Sequence, residues 1–307
     1  MKVLFVGAGS IAKRHIQNIN ELFGRKVLID IYRHSKKPLD LKVMEFINKE
    51  IHSFDELTCK YDGIFITNPT KLHLQSLKDF NDFSDNFFIE KPLIDISQSD
   101  EDLTFLKNGK TYYVACPLRH SKIIKYLKEN LDTSKINSVL TICSSYLPDW
   151  HPDKDYRTSY SAKKSLGGGV SIDLIHEWDY IYYLLGKPEK TYSILDKVSS
   201  LEIDTEDIAI YIAKYKNMTL ELHVDYLGKY PIRKITFITE EDTIIADILE
   251  NTITYTIKGE KIDLGESRND YQKEEIKYFF KLINSETKNI NDIKTALNVL
   301  KLTQGEL

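Results

Sequence analysis

The feature that most constrains this chain is a glycine-rich turn between an apolar run and an amphipathic segment. Residues 1–12 read MKVLFVGAGSIA, in which the apolar run 3–6 predicts a buried strand and the residues after Gly9 predict a helix. Gly7 permits a tight turn, and Gly9 lets the backbone approach a pyrophosphate at a helix N-terminus. The alternative is an ordinary strand-helix turn. We predict that a dinucleotide contacts Gly7, Gly9, Ser10 and Ile11.

Strand and helix signals alternate through residues 1–120. The predicted strands are 3–6, 27–32, 51–54, 64–67, 87–89 and 112–115, and the predicted helices are 11–23, 40–48, 72–80 and 97–107. Alternation of this kind, with continuously apolar strands, is typical of a doubly wound parallel sheet with helices on both faces. We therefore predict a Rossmann-type dinucleotide-binding domain over residues 1–120.

The second half of the chain has a different pattern. Two further helices are predicted over 121–130 and from 170 to about 186, a strand over 136–146, and closing helices over 270–284 and 291–305. Six successive strands are predicted between them: 191–198, 207–215, 218–226, 232–239, 243–249 and 252–257. We predict an α+β domain over 121–307, with a mostly antiparallel open sheet.

Composition excludes several classes of partner. The chain of 307 residues has a formal net charge of −4 and no basic block, which argues against nucleic acid as a partner. No apolar stretch reaches the length of a membrane span. Cys59, Cys116 and Cys143 are odd in number and widely spaced, which is typical of reduced thiols in a cytoplasmic protein. We expect no secretion signal, no membrane partner and no metal.

Two polar motifs follow predicted strands of the parallel sheet, where open α/β sheets bind ligands. After the strand 64–67, Thr67, Asn68, Pro69 and Thr70 offer hydrogen-bonding groups on a stiffened turn. The alternative is a strand-helix turn in which Thr70 caps the helix.

The second motif, Glu90-Lys91-Pro92, directly follows the strand 87–89. At the ligand edge of the sheet, Lys91 could donate to a substrate oxygen and Glu90 could hold a ribose. The alternative for this pair is a solvated surface ion pair.

A third motif opens a predicted helix after three glycines. Residues 167–179 read GGGVSIDLIHEWD, which places Asp173 and His176 on one helix face. An imidazole beside a carboxylate is a natural acid/base group. A helical histidine with a local hydrogen bond is the simpler alternative. A metal site with Glu177 and Asp179 is disfavoured, because no cysteine or second histidine accompanies these residues.

These segments, in this order, resemble the glucose-fructose oxidoreductase / inositol dehydrogenase / MocA family over essentially the whole chain. The resemblance implies that Lys91 is catalytic, that Asp173 and His176 form the substrate-binding and acid/base pair, and that His73 of Thr-Asn-Pro-Thr-x-x-His lies in the cofactor site. One departure is that many members separate the aspartate and the histidine by four positions, whereas this chain separates them by three. The shorter spacing moves the imidazole around the helix relative to the carboxylate.

A branch that makes bacterial surface polysaccharides and sialic-acid-like sugars shares the shorter spacing. Leu118-Arg119-His120, the segment 145–150 and Asp155-Tyr156-Arg157 also resemble that branch. The resemblance implies a sugar or nucleotide-sugar substrate. The resemblance also places Arg119 among the substrate residues. The loop 150–161 holds a polar and aromatic set that suits such a ligand, the alternative being an ordinary surface loop: His151, Tyr156, Arg157 and Tyr160.

The choice between NAD and NADP depends on the end of the second strand. Asp30 lies 21 residues past Gly9, where an acid that binds a ribose is expected, but the strand continues beyond it. In members of the family the discriminating residue ends this strand, and ungapped counting places Arg33 there. Arg33, His34 and Ser35 carry donors and positive charge that favour a 2′-phosphate. We therefore favour NADP and keep NAD as the alternative.

Taken together, the sequence predicts an NAD(P)-dependent oxidoreductase acting on a hydroxyl or keto carbon of a sugar or nucleotide sugar. A catabolic sugar or polyol dehydrogenase is one alternative, and a non-catalytic cofactor-sensing regulator is another. The strand 207–215 is apolar on both faces, which predicts a homodimer or homotetramer that pairs through this sheet.

Overall fold

The computed structural model describes residues 1–36, 38–39 and 41–305, with backbone only at residues 41 and 42. Its strands are β1 (Lys2–Val6), β2 (Leu28–Tyr32), β3 (Ile47–Ile51), β4 (Gly63–Ile66), β5 (Asn86–Ile89), β6 (Thr111–Val114), β7 (Ile136–Ser144), β8 (Lys190–Asp196), β9 (Ile208–Lys214), β10 (Thr219–Asp225), β11 (Ile232–Thr239), β12 (Thr243–Asp247), β13 (Thr252–Tyr255) and β14 (Glu260–Asp263). Its helices are α1 (Ser10–Phe23), α2 (Leu41–Met44), α3 (His73–Phe80), α4 (Lys122–Asn130), α5 (Val170–Asp173), α6 (Ile175–Leu185), α7 (Arg268–Ile283) and α8 (Ile293–Thr303).

The chain forms two compact units. The first contains Met1–Pro117 together with Asn269–Leu297, and the second contains Leu118–Arg268 and the chain from Asn298 onward. The domains predicted from the sequence were 1–120 and 121–307, with a single boundary between them. Most of α7 instead belongs to the first unit, because Phe279 packs edge-on against Phe65 of β4, with ring centroids 5.1 Å apart.

The first unit is built on a six-stranded parallel sheet in the order β3-β2-β1-β4-β5-β6. Aromatic rings on neighbouring strands stack across it: Phe5 on Phe65 at 4.5 Å, and Phe65 on Phe88 at 4.9 Å between centroids. The strand order reverses between β1 and β4, and in open α/β sheets this switch point is where ligands bind. The predicted doubly wound parallel sheet is confirmed.

Two predicted helices of this unit differ from the structure. Residue 40 of the predicted helix 40–48 lies outside the described residues. Of the rest of that range, only Leu41–Met44 (α2) is helical. The chain then forms β3, which begins four residues before the strand predicted at 51–54 and pairs in parallel with β2. Local propensity had favoured a helix, but pairing along the open edge of the sheet decided the outcome.

The predicted helix 97–107 does not form. The chain makes a short 3-10 turn at Ile96–Gln98, capped by the Asp95 carboxylate. Asp102 then accepts hydrogen bonds from the backbone and the hydroxyl of Thr104, at 2.8 Å each. Short polar side chains of this kind compete with helical hydrogen bonds, and for that reason this segment is a series of turns.

The second unit carries an eight-stranded sheet in the order β14-β13-β12-β11-β7-β10-β9-β8. Only β7 and β10 run in parallel, so the predicted mostly antiparallel sheet is confirmed. The sequence analysis missed the edge strand β14, whose sequence EKID is too short and polar to stand out. Within the described residues, none of the helices has both the length and the apolarity required to cross a membrane.

One face of this sheet is turned away from the unit's core. On β9 the side chains of Ala209, Tyr211 and Ala213 are buried, whereas Ile212 is 52% exposed. Strand pairing places Ile212 opposite Tyr192 of β8, and the neighbouring Ile194 is 63% exposed. We call this the outer sheet face; its exposed apolar members are Leu140, Tyr192, Ile194, Ile212 and Ile238.

Candidate active site

In the first unit, the turns after β1 and β4 lie against each other. The Gly7 amide donates to Tyr32 O at 3.0 Å, and the Thr67 amide donates to Val6 O at 2.9 Å. Gly7 has a φ of +102°, and a Cβ there would lie 2.7 Å from the Asn68 nitrogen. Gly7 is therefore required by the protein's own packing.

Gly9 is different, because the protein leaves it open. A Cβ built at Gly9 would meet only Thr67 O, at 3.9 Å. Gly9 caps α1, whose N-terminus has no side-chain cap and no acidic residue in its first turn. Free backbone N–H groups beside unfilled space suit a pyrophosphate, so these residues fit the cofactor that the sequence predicted. Ser10 is exposed and Ile11 half-buried at this end of the helix.

We expect Gly9→Ala to weaken binding of NAD and NADP alike by roughly 1–3 kcal/mol, because the methyl group would take space needed by the pyrophosphate. The free energy of unfolding should remain within roughly 0.5 kcal/mol of wild type. Gly7→Ala is the matched variant, and it should lower the free energy of unfolding. Calorimetric titration and chemical denaturation measure the two quantities, and unchanged cofactor affinity in Gly9→Ala would contradict the assignment.

The loop after β4 is held by its own hydrogen bonds. The Thr67 hydroxyl is buried and donates to Val6 O at 3.1 Å, and Pro69 is exposed. Thr70 is not a helix cap: it lies inside a 3-10 turn, Thr70–Leu72, whose N-cap is Pro69. The alternative interpretation of this motif as a Thr70 cap is therefore wrong. His73, which follows this turn, is buried among backbone carbonyl groups.

Glu90 follows β5 and pairs with a histidine that the sequence analysis did not single out. His15 of α1 places Nε2 2.5 Å from Glu90 Oε1. Burial acts to raise the pKa of Glu90, but the hydrogen bond and charge of His15, with a further contribution from Lys91, lower it below its usual value. Glu90 is therefore an anion fixed in place beside the half-buried Lys91. Glu90 and Lys91 are therefore not a solvated surface ion pair.

At the end of β2, Arg33 pairs with an acid on the neighbouring strand. Its Nε and Nη2 both lie 2.5 Å from Glu50 Oε1. Asp30 is fully buried, and its carboxylate accepts from the Tyr61 hydroxyl at 3.0 Å and the Asn48 amide at 2.8 Å. Asp30 is thus part of the framework of the sheet. His34 and Ser35 are exposed beyond Arg33.

In the second unit, Asp173 and His176 do not share one continuous helix. Asp173 ends α5, Leu174 leaves helical geometry, and α6 begins at Ile175. The Tyr226 hydroxyl donates to the Asp173 carboxylate at 2.6 Å. Burial, and then the charge of Asp173, raise the pKa of Tyr226 well above its usual value, so the phenol stays protonated and remains a donor.

His176 lies beside a buried ion pair. Its Nε2 is 3.4 Å from Oε1 of Glu177, a fully buried carboxylate that also accepts from Arg233 of β11 and from the Tyr180 hydroxyl. Burial acts to lower the pKa of Arg233, but the charge and hydrogen bond of Glu177, together with the charges of Cys143 and Tyr180, raise that pKa above its usual value. An imidazole beside a fixed carboxylate can accept and return a proton.

The predicted substrate residues differ in exposure: Arg157 is exposed, Tyr156 and Tyr160 are half-buried, and Arg119 is buried. Arg157 is exposed and pairs with Asp155 at 2.8 Å and Glu202 at 2.9 Å. The Tyr160 hydroxyl donates to Gly167 O at 2.6 Å, and the Tyr156 hydroxyl accepts from the Glu202 amide at 3.2 Å. Arg157 and its two acidic partners are therefore all exposed at the surface of this unit.

Arg119 is only 2% exposed, and its guanidinium donates to both carboxylate oxygens of Asp179 on α6, at 2.9 and 2.7 Å. Both residues belong to the second unit. This bidentate pair accounts for the buried position of Arg119, which suits the framework of the unit better than contact with a ligand.

Comparison with known proteins identifies the family. A family sequence model described as "Oxidoreductase family, NAD-binding Rossmann fold" matches residues 1–115, and one for the "GFO/IDH/MocA C-terminal domain" matches residues 124–245. The chain belongs to the Gfo/Idh/MocA oxidoreductase family. The first match contains the glycine turn and Lys91, and the second contains Asp173 and His176.

Two curated relatives cover part of the chain. The uncharacterized oxidoreductase YrbE of Bacillus subtilis is 29% identical over 192 residues, which is 59% of this chain and 52% of that protein. The inositol 2-dehydrogenase/D-chiro-inositol 3-dehydrogenase of Lacticaseibacillus casei is 23% identical over 68% of this chain and 60% of that protein. The chain thus matches between half and two thirds of the length of these relatives.

Solved structures share the fold over nearly the whole chain. The UDP-N-acetylglucosamine 3-dehydrogenase GnnA of Acidithiobacillus ferrooxidans has a TM-score of 0.81 at 18% identity, covering 100% of this chain and 96% of that chain. The WlbA dehydrogenase of Bordetella pertussis, in complex with NADH and UDP-GlcNAcA, has a TM-score of 0.79 at 17% identity, covering 99% and 94%. At these identities the likeness establishes the fold.

Proposed function

We propose that this protein is an NAD(P)-dependent dehydrogenase acting on a hydroxyl or keto carbon of a sugar or nucleotide sugar. The observation that carries the proposal is that Lys91, Asp173 and His176 are all present in the motifs that resemble the family's, Lys91 just after β5, Asp173 at the end of α5 and His176 in the first turn of α6. A non-catalytic sensor on this fold has no need for the three together, which disfavours the regulator alternative.

Each polar group has a distinct part in the proposed chemistry. A bound nicotinamide accepts or supplies a hydride. Lys91 donates to the reacting oxygen and stabilises its developing negative charge. His176 takes the hydroxyl proton in the oxidative direction and returns it in the reductive direction. Asp173, oriented by the Tyr226 hydroxyl, accepts a substrate hydroxyl hydrogen bond.

The substrate class is supported by a set of polar and aromatic side chains on one loop of the second unit. Tyr156, Arg157 and Tyr160 follow a short turn that places the Trp150 indole N–H on the Ser145 hydroxyl at 2.9 Å. Half-buried aromatic rings beside an exposed arginine suit a sugar bearing a diphosphate. The fold neighbours GnnA and WlbA carry nucleotide sugars in their names, which also favours this class over a free polyol.

A substrate panel tests the proposal. The protein is mixed with NAD or NADP and, in turn, UDP-N-acetylhexosamines, UDP-hexuronates, nonulosonates and free polyols such as myo-inositol, while the absorbance of reduced nicotinamide is followed. We expect turnover with at least one nucleotide sugar and little with the polyols. Turnover confined to polyols would favour the catabolic alternative, and cofactor binding with no turnover would favour the regulator.

For the cofactor, we propose NADP, recognised by Arg33. Arg33→Ala should weaken NADP binding by roughly 1.5–3 kcal/mol and NAD binding far less, because only the 2′-phosphate makes a charge-assisted pair with the guanidinium. Glu50→Gln is the matched variant: it removes the acid that pairs with Arg33 and should strengthen NADP binding. Thermal shifts with each cofactor measure the preference, and a wild-type preference for NAD would contradict it.

For assembly, we propose a homodimer or a dimer of dimers that pairs through the outer sheet face. The exposed apolar side chains on the neighbouring strands β8 and β9, and on β7 beyond β10, support this proposal: Tyr192, Ile194, Ile212 and Leu140. Sedimentation at micromolar concentration should give at least twice 35.7 kDa. Ile212→Glu should shift the protein toward monomer, and a wild-type monomer would contradict the proposal.

A further inference from the structure

His73, which the resemblance placed among the cofactor contacts, is enclosed by backbone carbonyl groups of the first unit. It is the first residue of α3 and only 1% exposed. Its Nδ1 lies 3.1 Å from both Pro92 O and Leu93 O, and its Nε2 lies 2.9 Å from Asn68 O. Both ring nitrogens therefore face protein acceptors, which leaves neither of them directed at a ligand.

The three carbonyl groups belong to two separate loops. Asn68 follows β4, and its backbone is the surface against which Gly7 packs. Pro92 and Leu93 directly follow Lys91, after β5. The His73 ring thus spans the distance between the loop next to the glycine turn and the segment that carries Lys91.

The protonation of the His73 ring limits which of these contacts can be hydrogen bonds. Burial lowers the pKa of His73, outweighing the opposing effects of the Asn68 and Leu93 carbonyl groups and of the Glu90 charge. A neutral imidazole has one N–H, so it donates through one nitrogen only. Two carbonyl oxygens converge on Nδ1 and one lies near Nε2. In the Nδ1–H tautomer the ring donates to the segment carrying Lys91, whereas in the Nε2–H tautomer it donates to Asn68 O, the shortest of the three contacts.

We propose that His73 is a positioning residue for Lys91: its Nδ1–H holds the Pro92 and Leu93 carbonyl groups and so fixes the backbone on which Lys91 stands. The inference rests on the proposed catalytic role of Lys91. It reassigns His73 from the cofactor contacts to the support of the segment that carries the catalytic lysine.

Substitutions that retain one side of the ring test this role. The amide nitrogen of Asn lies where Nδ1 does, and that of Gln lies near the position of Nε2. His73→Phe removes both donors. We expect kcat to fall roughly 10–100-fold in His73→Phe and His73→Gln, because a displaced catalytic group costs about that much. His73→Asn should recover most of the loss, and KM should change less than kcat.

Cofactor binding separates positioning from general damage. ADP-ribose, which lacks nicotinamide, should bind His73→Phe and His73→Asn with wild-type affinity, because the glycine turn and α1 are untouched. Because the segment after β5 carries the lysine proposed to act beside nicotinamide, bound NADH should change its fluorescence in His73→Phe and His73→Gln but not in His73→Asn. Circular dichroism establishes which variants are folded. If His73→Phe does not fold, the comparison of kcat between His73→Asn and His73→Gln still tests whether the Nδ1 side of the ring positions Lys91.

Three results would overturn the inference while leaving the proposed function intact: wild-type kcat in a folded His73→Phe, equal rescue by Gln and Asn, or a loss of ADP-ribose affinity as large as the loss of kcat. Failure of the wild-type protein to bind NADH or to turn over any member of the panel would overturn the proposed function, and this inference with it.

Discussion

Replacing Lys91 by alanine is expected to lower kcat roughly 10²–10⁴-fold, while the dissociation constants of NAD and NADP stay nearly unchanged. The ammonium group is proposed to meet the oxygen that gains charge during the reaction, so its removal raises the barrier. It does not belong to the glycine turn or the start of α1, so the binding of adenine and pyrophosphate is retained. His176→Ala should show the same division between turnover and cofactor binding.

The matched control is Lys60→Ala, which removes an exposed lysine of the same unit. Its kcat and stability should equal those of wild type. Steady-state kinetics on the substrate found by the panel, with calorimetric titration of the cofactor, provide both quantities. Full activity in Lys91→Ala and His176→Ala would place the chemistry elsewhere in the protein.

Arg233→Met is expected to give the largest loss of stability, about 3–5 kcal/mol in the free energy of unfolding. Arg233 pairs with Glu177, whose side chain is fully buried, and methionine would leave that carboxylate without a counter-charge. The Tyr180 hydroxyl would remain as a donor to Glu177 but carries no compensating charge. Denaturant unfolding at neutral pH measures the loss.

The double variant Glu177→Gln/Arg233→Met is the control for this mechanism. Glutamine removes the stranded charge while its carbonyl oxygen still accepts from Tyr180, so at least half of the lost stability should return. If the double variant is as unstable as Arg233→Met, then lost packing rather than an unpaired charge is the cause, and the ion-pair explanation fails.

Much of the fold could be predicted from the sequence because its signals were local. The turn around Gly7, the apolar strands and the alternating strands β9 and β10 each carry their own periodicity. The segments 40–48 and 97–107 could not be predicted correctly, because strand pairing decided the first and hydrogen bonds from Asp95 and Asp102 decided the second. The return of α7 to the first unit depends on Phe279, whose partner Phe65 is distant in sequence.

The candidate site divides in the same way. Gly9, Lys91 and Asp173 stand in short motifs, so their positions at strand or helix ends could be anticipated. The partners that fix this site could not: His15 pairs with a residue 75 positions away, and Tyr226 with one 53 positions away. Glu177 was adjacent to a predicted residue, but its ion-pair partner Arg233 on β11 had no local signal.

The most direct test of the central claim follows a deuterium atom. The nucleotide sugars of the panel are deuterated at the ring carbons that bear hydroxyl groups and are incubated with the protein and oxidised cofactor. The mass of the reduced cofactor is then measured by mass spectrometry. If the hydride is transferred directly, wild type should produce reduced cofactor that carries one deuterium. Over the same short incubation, Lys91→Ala should produce almost no deuterated cofactor. Reduced cofactor without deuterium, or equal labelling by Lys91→Ala, would contradict the account.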